Sequence, residues 1–306
     1  MSEVRLVFLG TGSGRPTLRR NVSGMFLQYG GESLLFDCGE GTQIQMQKAS
    51  VRPGKLAAIL ITHFHGDHIN GLPGFLGTLG LGGHEGELAV VAPRGIDRYF
   101  QTLRELRVLS HEELVTTSEA ERGVVFRGCD YTVSACQLRH RIPAFGYLFR
   151  EDDRPGRFDV DTAVALGVRP GPDFGKLQRG QALALADGSV VTPEQVLGPT
   201  RTGRSVAYIC DTRPCDEVVR FVQDVDILVH EATYLHALQE QAARRGHSTV
   251  LEAAMVARDA GVRRLILTHI SPKHGSNREL LDEARSVFPN VEVAEDFKEF
   301  VLPVPE

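Results

Sequence analysis

Leu60-Ile-Thr-His-Phe-His-Gly-Asp-His-Ile-Asn-Gly71 decides how the rest of the chain is read. Three of the eleven histidines fall between His63 and His68, with Asp67 among them, directly after the apolar run Leu56 to Ile61 that predicts a buried strand. In extended chain, residues i and i+2 project to the same side, so His63 and His65 can grip one ion together. A turn at Gly66 then aims Asp67 and His68 at a second position close by. Imidazole with carboxylate is the ligand set of zinc, with iron and manganese as lesser possibilities. Packing explains such a density poorly, because a core histidine is usually single and satisfied by a backbone carbonyl.

A chain of 306 residues ordinarily divides into about two domains. Here the candidate ligands run from His63 to His269, and a site drawing on both halves needs both in one core, so a single domain over residues 1–306 is expected. Hydrophobic residues at 42% and charged ones at 24% are ordinary for a soluble globular protein. A net charge of −5 and a pI near 6.1 exclude coating nucleic acid by bulk attraction but leave room for a local basic face. Cys38, Cys129, Cys136, Cys210 and Cys215 are odd in number, form no Cys-x-x-Cys pair and read as reduced, buried thiols. Cys210 adjoins Asp211, and strand alternation would send the two side chains to opposite faces, keeping the thiol off any metal. Neither a leader segment nor a run near the roughly 18 apolar residues of a membrane span is visible, so no membrane partner and a cytoplasmic location are expected.

Val4 to Leu9 predicts a strand that empties into Gly10-Thr-Gly-Ser-Gly14 and then Arg15-Pro-Thr-Leu-Arg-Arg-Asn21, three arginines without an acid. Arg15, Arg19 and Arg20 read either as an anion-binding loop or as a solvated surface. Met25 to Tyr29 and Ser33 to Phe36 form a hairpin through Gly30-Gly31; Asp37, next in line, is either a turn residue or the acceptor for a ligand histidine's far nitrogen. A helix over Ile69 to Gly80, a strand over Glu87 to Ala92 and a helix over Ile96 to Leu106 look structural. Tyr131 to Leu138, Ser205 to Cys210, Asp226 to Val229 and Arg263 to Leu267 read as strands, followed respectively by His140, Asp211, His230-Glu231 and Thr268-His269. Open α/β sheets build their sites at such carboxyl ends, where loops are free and strands fixed. His247 precedes a helix over Val250 to Ala260 opened by the capping box Thr249-Val-Leu-Glu252, and either meets an anion at that helix end or sits on the surface. A helix from Asn277 to Val287 and one strand from Val291 to Val301 close the chain.

From Asp152 to Arg204 the texture changes. Thirteen of these 53 residues are Gly or Pro, against 47 of 306 overall, which argues against central strands. Segments this long are commonly functional or disordered, and this one reads as an inserted arm projecting from the core, with short helices at Val160 to Leu166 and Thr192 to Gln195. Arg150 to Gly180 holds six basic and six acidic residues, so a grip on an anion there must come from arrangement rather than excess.

His-x-His-x-Asp-His after a strand resembles the signature of the metallo-β-lactamase superfamily, which implies a four-layer αβ/βα sandwich with one or two metals at its edge. His63, His65, Asp67, His68, His140, Asp211 and His269 then make seven ligands. A tetrahedral zinc takes four at most, and a catalytic one keeps a position for water, so two zinc ions per subunit are expected. The partition is His63, His65 and His140 on one, Asp67, His68 and His269 on the other, with Asp211 between. Water held by such a pair would have its pKa lowered toward about 7, which suits hydrolysis of a phosphoryl or acyl bond.

Over its full length the sequence resembles the ribonuclease Z family in its short form. The resemblance rests on Asp37-Cys-Gly-Glu-Gly41, His63 to His68, His140, Gly171-Pro172, Asp211, His230-Glu-Ala-Thr233, His247-Ser-Thr249 and His269. It implies an endoribonuclease that removes 3′ trailers from precursor tRNA, cutting after the discriminator nucleotide to leave a 3′-hydroxyl. It also implies a homodimer in which one subunit's arm, with Gly171, Pro172 and Lys176, clamps the tRNA elbow while the other subunit cuts. Asp67 is implied as proton acceptor as well as ligand, and His247, oriented by Glu231, as the group assisting the leaving 3′ oxygen. The family's loop near the N-terminus commonly reads Pro-x-Lys-x-Arg-Asn and is associated with sensing a finished CCA end. Pro16, Arg20 and Asn21 match it, Leu18 replaces the lysine, and Arg19 offers a charge next door. The alternatives are a dinuclear hydrolase of small phosphodiesters or thioesters, which needs no arm; a binding module with a decayed site, which seven intact ligands disfavour; and a di-iron electron carrier, for which no flavin-binding segment is seen.

Overall fold

Alternation along the first strand buries Leu6 and Phe8 on one face and Val7 and Leu9 on the other, so this strand is apolar on both sides and separates two layers of core. The computed structural model describes residues 3–52, 55–82, 86–109, 115–274 and 276–304. The chain clusters into two compact units, one drawn from the residues up to Arg150 and from Arg204 onward, the other spanning Glu151–Gly203.

The first unit opens with β1 (Val4–Gly10), β2 (Gly24–Tyr29), β3 (Glu32–Phe36), α1 (Thr42–Lys48), β4 (Lys55–Leu60), α2 (Gly66–Ile69) and α3 (Leu72–Leu81). It continues with β5 (Leu88–Ala92), α4 (Ile96–Glu105), β6 (Val115–Glu119), β7 (Gly123–Arg127), β8 (Tyr131–Gln137) and β9 (Phe145–Glu151). The second unit holds α5 (Val160–Ala165), α6 (Pro172–Gln178), β10 (Leu183–Ala184), β11 (Val190–Val191) and α7 (Pro193–Val196). The first unit resumes with β12 (Ser205–Ile209), α8 (Asp216–Phe221), β13 (Ile227–Glu231), α9 (Gln239–Arg245), α10 (Val250–Asp259), β14 (Arg264–Thr268), α11 (Asn277–Arg285), β15 (Val291–Val293) and β16 (Glu299–Leu302).

Two seven-stranded sheets result, ordered β16-β1-β2-β3-β4-β5-β6 and β15-β14-β13-β12-β9-β8-β7. Leu6, Phe8, Met25 and Phe36 of the first meet Tyr147, Phe149, Tyr208 and Val229 of the second in the central core. Met46 of α1, Phe75 of α3 and Phe100 of α4 cover the outer face of the first sheet, while Val218 of α8, Ala253 of α10 and Leu280 of α11 cover that of the second. These are the four layers of an αβ/βα sandwich, the metallo-β-lactamase fold that the sequence implies. β12, β13 and β14 run parallel, so their carboxyl ends open on one edge. The two sheets are tied to each other at that edge. Phe145 N–H donates to the Thr62 carbonyl at 2.9 Å, and the Tyr147 hydroxyl donates to the Ile61 carbonyl at 2.7 Å.

The second unit has its own small core of Ala163, Leu177, Val191 and Val196. The Asp159 carboxylate caps α5 by accepting Thr162 N–H at 2.9 Å, as its position predicts. Among the described residues, no helix is long and apolar enough to cross a membrane.

Several expectations about the fold need correction. The run from Val291 to Val301 is not one strand: β15 pairs with β14 in one sheet and β16 with β1 in the other, and the chain crosses between them through Phe297 at φ 69°. β9, which sequence reading left unassigned, lies in the middle of the second sheet; it is buried on both faces, and such strands lose the alternation by which strands are found. Cys129 is exposed and Cys215 half-buried, so only three of the five free thiols are buried.

The helix expected from Ile69 is also divided, ending as α2 and restarting at Leu72. Gly71 N–H donates to the Cys38 carbonyl at 2.9 Å, and a Cβ on Gly71 would collide with the carbonyl of Gly39. That close approach holds the candidate metal-ligand stretch against the loop carrying Asp37. Gly71→Ala should therefore destabilise the fold by about 1–3 kcal/mol or more, as measured by urea unfolding; a change below about 0.5 kcal/mol, the size of an ordinary surface substitution, would contradict the tight fit.

Candidate active site

The backbone of His65 stays extended (φ −68°, ψ 146°) until α2 begins at Gly66. His63 and His65 therefore meet as their spacing requires, with His63 Nε2 2.9 Å from His65 Nδ1, which is itself 3.2 Å from His140 Nε2. Asp211 Oδ2 closes this group, 3.4 Å from His63 Nε2 and 3.8 Å from His140 Nε2. Its other oxygen, Oδ1, faces His269 Nε2 at 3.2 Å and His68 Nε2 at 3.5 Å. Asp67 Oδ2 stands 3.3 Å from His269 Nε2 and 3.5 Å from His68 Nε2. The seven residues form two adjoining groups that meet at Asp211.

The outward nitrogens of four of these five rings are fixed by hydrogen bonds. Asp37 Oδ2 accepts from His68 Nδ1 at 2.8 Å, while its Oδ1 accepts both the N–H and the hydroxyl of Thr62 at 2.8 and 2.9 Å. Of the two readings open for Asp37, the acceptor is the one found, and its left-handed backbone (φ 57°) is strain held in place by these bonds. Because the single Thr62 hydroxyl proton goes to Asp37, Thr62 Oγ1 accepts from His63 Nδ1 at 3.0 Å, which leaves the inward Nε2 lone pair free. Thr233 repeats the device, donating to Glu231 Oε2 at 2.6 Å and accepting from His269 Nδ1 at 2.9 Å. His140 Nδ1 donates to the Gly246 carbonyl at 2.8 Å. Such partners set the tautomer and aim of a ligand histidine.

Burial alone would raise the Asp67 carboxyl, but the hydrogen bond from His269 and the nearby ring of His68 outweigh it and hold it well below the usual range. Asp211 is likewise held down against its burial by the charges of His269, His68 and His63. Burial pushes His63 down to about 4 and lowers His65 and His140. His68 moves the other way: its burial is outweighed by Asp211 and Asp37, which raise it well above the imidazole range. Ionised carboxylates enclosed among mostly neutral rings require compensating positive charge. His68 Nε2 is buried without a hydrogen-bond partner and faces both aspartates. That orphaned nitrogen and the donor set around it fit a metal ion.

Cys210 corrects one expectation. β12 ends at Ile209, so alternation no longer applies beyond it, and Cys210 Sγ lies 3.5 Å from Asp211 Oδ1, grouped with His68 and His269. Burial and the Asp211 charge push its thiol far above the ordinary range, so it stands there as a neutral thiol, the weaker ligand form.

His247 Nδ1 is 3.1 Å from Glu231 Oε1, and burial of the ring is outweighed by that carboxylate, which raises His247 to about 9. Gly14 N–H donates to Asp67 Oδ2 at 2.7 Å, so the glycine-rich loop reaches a candidate ligand directly. These groups lie in a cleft of about 640 Å³ whose walls also carry Arg15, Arg141, Arg245 and Lys273. Arg20, expected to offer its charge to RNA, is instead turned inward, donating to Thr11 Oγ1 at 2.6 Å, the Ala294 carbonyl at 2.6 Å and Asn277 Oδ1 at 2.8 Å. It braces the loop, and Leu18 and Arg19 remain exposed beside it. Gly171, Pro172 and Lys176 belong to the second unit, where Lys176 Nζ pairs with Asp173 Oδ1 at 2.8 Å. Sequence reading gave no role to Thr62, Thr233, Arg141, Arg245 or Lys273; adjacency to a candidate ligand could have marked Thr62 and Arg141, and Thr233 ends the His230-Glu-Ala-Thr233 run, but nothing local marks Arg245 or Lys273.

Family models match two stretches of the chain, that of the anti-Pycsar protein Apyc1 over residues 4–79 and a β-lactamase superfamily domain over residues 195–270. The ribonuclease Z of Myxococcus xanthus (strain DK1622) is 46% identical over 309 residues, covering 99% of each chain. The crystal structure of human tRNase Z, short form, is similar with a TM-score of 0.68 at 27% identity, covering 98% of this chain and 100% of that one. The metallo-β-lactamase fold protein YhfI from Bacillus subtilis, with a TM-score of 0.71 at 20% identity over 98% of this chain and 99% of its own, speaks for the fold alone.

Asp37→Ala frees His68 Nδ1 without removing any candidate ligand. Metal affinity, measured by competition with a chelating dye on folded protein, should fall by roughly 10- to 100-fold; unchanged affinity would show that the Asp37–His68 bond does not support metal binding.

Proposed function

The chain belongs to the ribonuclease Z family of tRNA 3′-processing endonucleases, and we propose that it cuts precursor tRNA after the discriminator nucleotide at a site holding two zinc ions per subunit. The observation that carries the reading is the convergence of seven histidine and aspartate side chains in two groups meeting at Asp211. His63, His65 and His140 would hold one ion, Asp67, His68 and His269 the other, with Asp211 between them. Asp67 is preferred to Cys210 because its Oδ2 faces both His68 Nε2 and His269 Nε2, at 3.5 and 3.3 Å. Bound there, the ions supply charge neutralisation at the phosphate and a water acidic enough to lose a proton near neutral pH.

Asp67 accepts the proton of the attacking water, its Oδ2 steadied by Gly14 N–H. The water oxygen bonds to phosphorus as the bond from phosphorus to the 3′ oxygen breaks, and His247 donates a proton to that leaving oxygen. The tRNA keeps a 3′-hydroxyl and the trailer keeps the phosphate. Glu231 keeps His247 charged for this role, since burial would otherwise depress it. Arg15, Arg141, Arg245 and Lys273 hold backbone phosphates along the cleft. The Glu151–Gly203 unit, with Gly171, Pro172 and Lys176, serves as the arm that grips the tRNA elbow, in a cytoplasmic homodimer whose subunits lend their arms to each other.

The test is incubation with a precursor tRNA bearing a 3′ trailer, with and without chelator and after zinc is restored, followed by mapping of the cut. One metal-dependent cut after the discriminator nucleotide that leaves a 3′-hydroxyl is expected. Intact RNA beside a sample that hydrolyses small phosphodiesters and holds metal would move the assignment to the alternative hydrolase.

A further inference from the structure

Arg213 joins the turn that carries Asp211 to the turn that carries His247. Its Nη1 donates to the His247 carbonyl at 2.6 Å and to Glu252 Oε2 at 2.9 Å, and its Nη2 donates to Glu252 Oε1 at 2.7 Å. Glu252 is itself fixed, accepting Thr249 N–H at 2.8 Å in the capping box of α10 and Gln239 Nε2 at 3.2 Å. Parallel bonds tie the same turns. The Ser248 hydroxyl donates to the Thr212 carbonyl at 2.7 Å, and Thr212 N–H donates at 2.8 Å to Glu231 Oε1, the oxygen that faces His247 Nδ1. Arg213 N–H also donates to the Arg139 carbonyl at 2.8 Å, next to His140.

His247 is thus held by its ring, at Glu231, and by its main chain from both sides, its N–H donating to the Ala242 carbonyl at 2.9 Å and its carbonyl accepting from Arg213. A ring held only at Nδ1 could pivot about that bond; the main-chain holds remove the pivot, and Arg213 supplies the one on the side of helix α10. We propose that Arg213, gripped by Glu252, is a positioning residue that fixes where His247 presents its free ring nitrogen to the leaving oxygen. This rests on the reading of His247 as the group that assists that oxygen. Among the described residues, neither Arg213 nor Glu252 lines the cleft, so Arg213 acts through His247 and not on the RNA. The guanidinium fork is needed because one flat cation must serve both carboxylate oxygens and the carbonyl, which a lysine ammonium on a flexible stem does less well.

The experiment is single-turnover cleavage of precursor tRNA by saturating metal-loaded enzyme for wild type, Arg213→Ala, Arg213→Lys, Glu252→Gln, His247→Ala and the double variant Arg213→Ala/His247→Ala, with metal content and RNA affinity measured on each. A small displacement of a reacting group can cost about 100-fold, so Arg213→Ala should slow cleavage by about 10- to 100-fold at unchanged metal content and RNA affinity. Arg213→Lys and Glu252→Gln should fall between it and wild type. His247→Ala should lose about 100-fold or more, and adding Arg213→Ala to it should cost no more than about threefold further, because the two act as one unit. Multiplicative losses in the double variant, or metal lost in step with rate, would overturn the inference and leave the reading of His247 standing. Wild-type speed in Arg213→Ala would also overturn it. A His247→Ala enzyme at full speed would remove both together. If Arg213→Ala does not fold, Glu252→Gln replaces it in the same cycle and is read by the same outcomes.

Discussion

Asp211 is buried and ionised, and each of its oxygens faces a different pair of histidine nitrogens, Oδ2 toward His63 and His140 and Oδ1 toward His68 and His269. Everything else about the edge of the sandwich follows from keeping that carboxylate enclosed and charged. A lone buried carboxylate would take up a proton. This one is kept ionised by rings whose aim is fixed from outside, by Asp37 for His68, by the hydroxyls of Thr62 and Thr233 for His63 and His269, and by the Gly246 carbonyl for His140. Two of the six non-glycine residues with positive φ among the described residues lie in the same place. Asp37 and His269 both adopt positive φ, at 57° and 56°, although neither is glycine. The two tied sheets hold residues there in conformations that an isolated loop would abandon.

The parallel strands explain why so few elements suffice. β12, β13 and β14 end together, and the residues at or just beyond their ends, Asp211, Glu231 and His269, arrive at one edge without long loops. The first sheet adds His63 to His68 from the end of β4, and the bonds from Phe145 and Tyr147 to the Thr62 and Ile61 carbonyls fix its height relative to the second. Arg15, Arg141, Arg245 and Lys273 line the cleft at this edge.

Much of this was legible in the sequence, and for physical reasons. His63, His65, Asp67 and His68 declare themselves because extended chain and one glycine turn fix their relative aim locally. His140, Asp211 and His269 were legible through strand ends, a pattern that spans the chain but repeats. Thr62 and Thr233 each link a near neighbour to a partner distant in sequence, Thr62 joining His63 to Asp37 and Thr233 joining Glu231 to His269, so the full role of each emerges only once the fold has assembled. Arg20 shows the reverse case. Its charge reads as available, but Thr11, Asn277 and the Ala294 carbonyl surround it, and two of these lie more than 250 residues away in sequence. Cys210 was misplaced because alternation was extended one residue beyond the end of β12, and β15 and β16 were merged because an apolar pattern does not reveal which sheet it joins.

The most direct test of the central claim is to locate and count the metals, by anomalous diffraction at the zinc absorption edge from crystals of the purified, active protein, with elemental analysis of the same sample. Two peaks per chain are expected on either side of Asp211, one among His63, His65 and His140 and the other among Asp67, His68 and His269. A single peak, or one placed instead among Glu231, His247 and His269, would contradict the account of Asp211 as the shared carboxylate of a two-metal site.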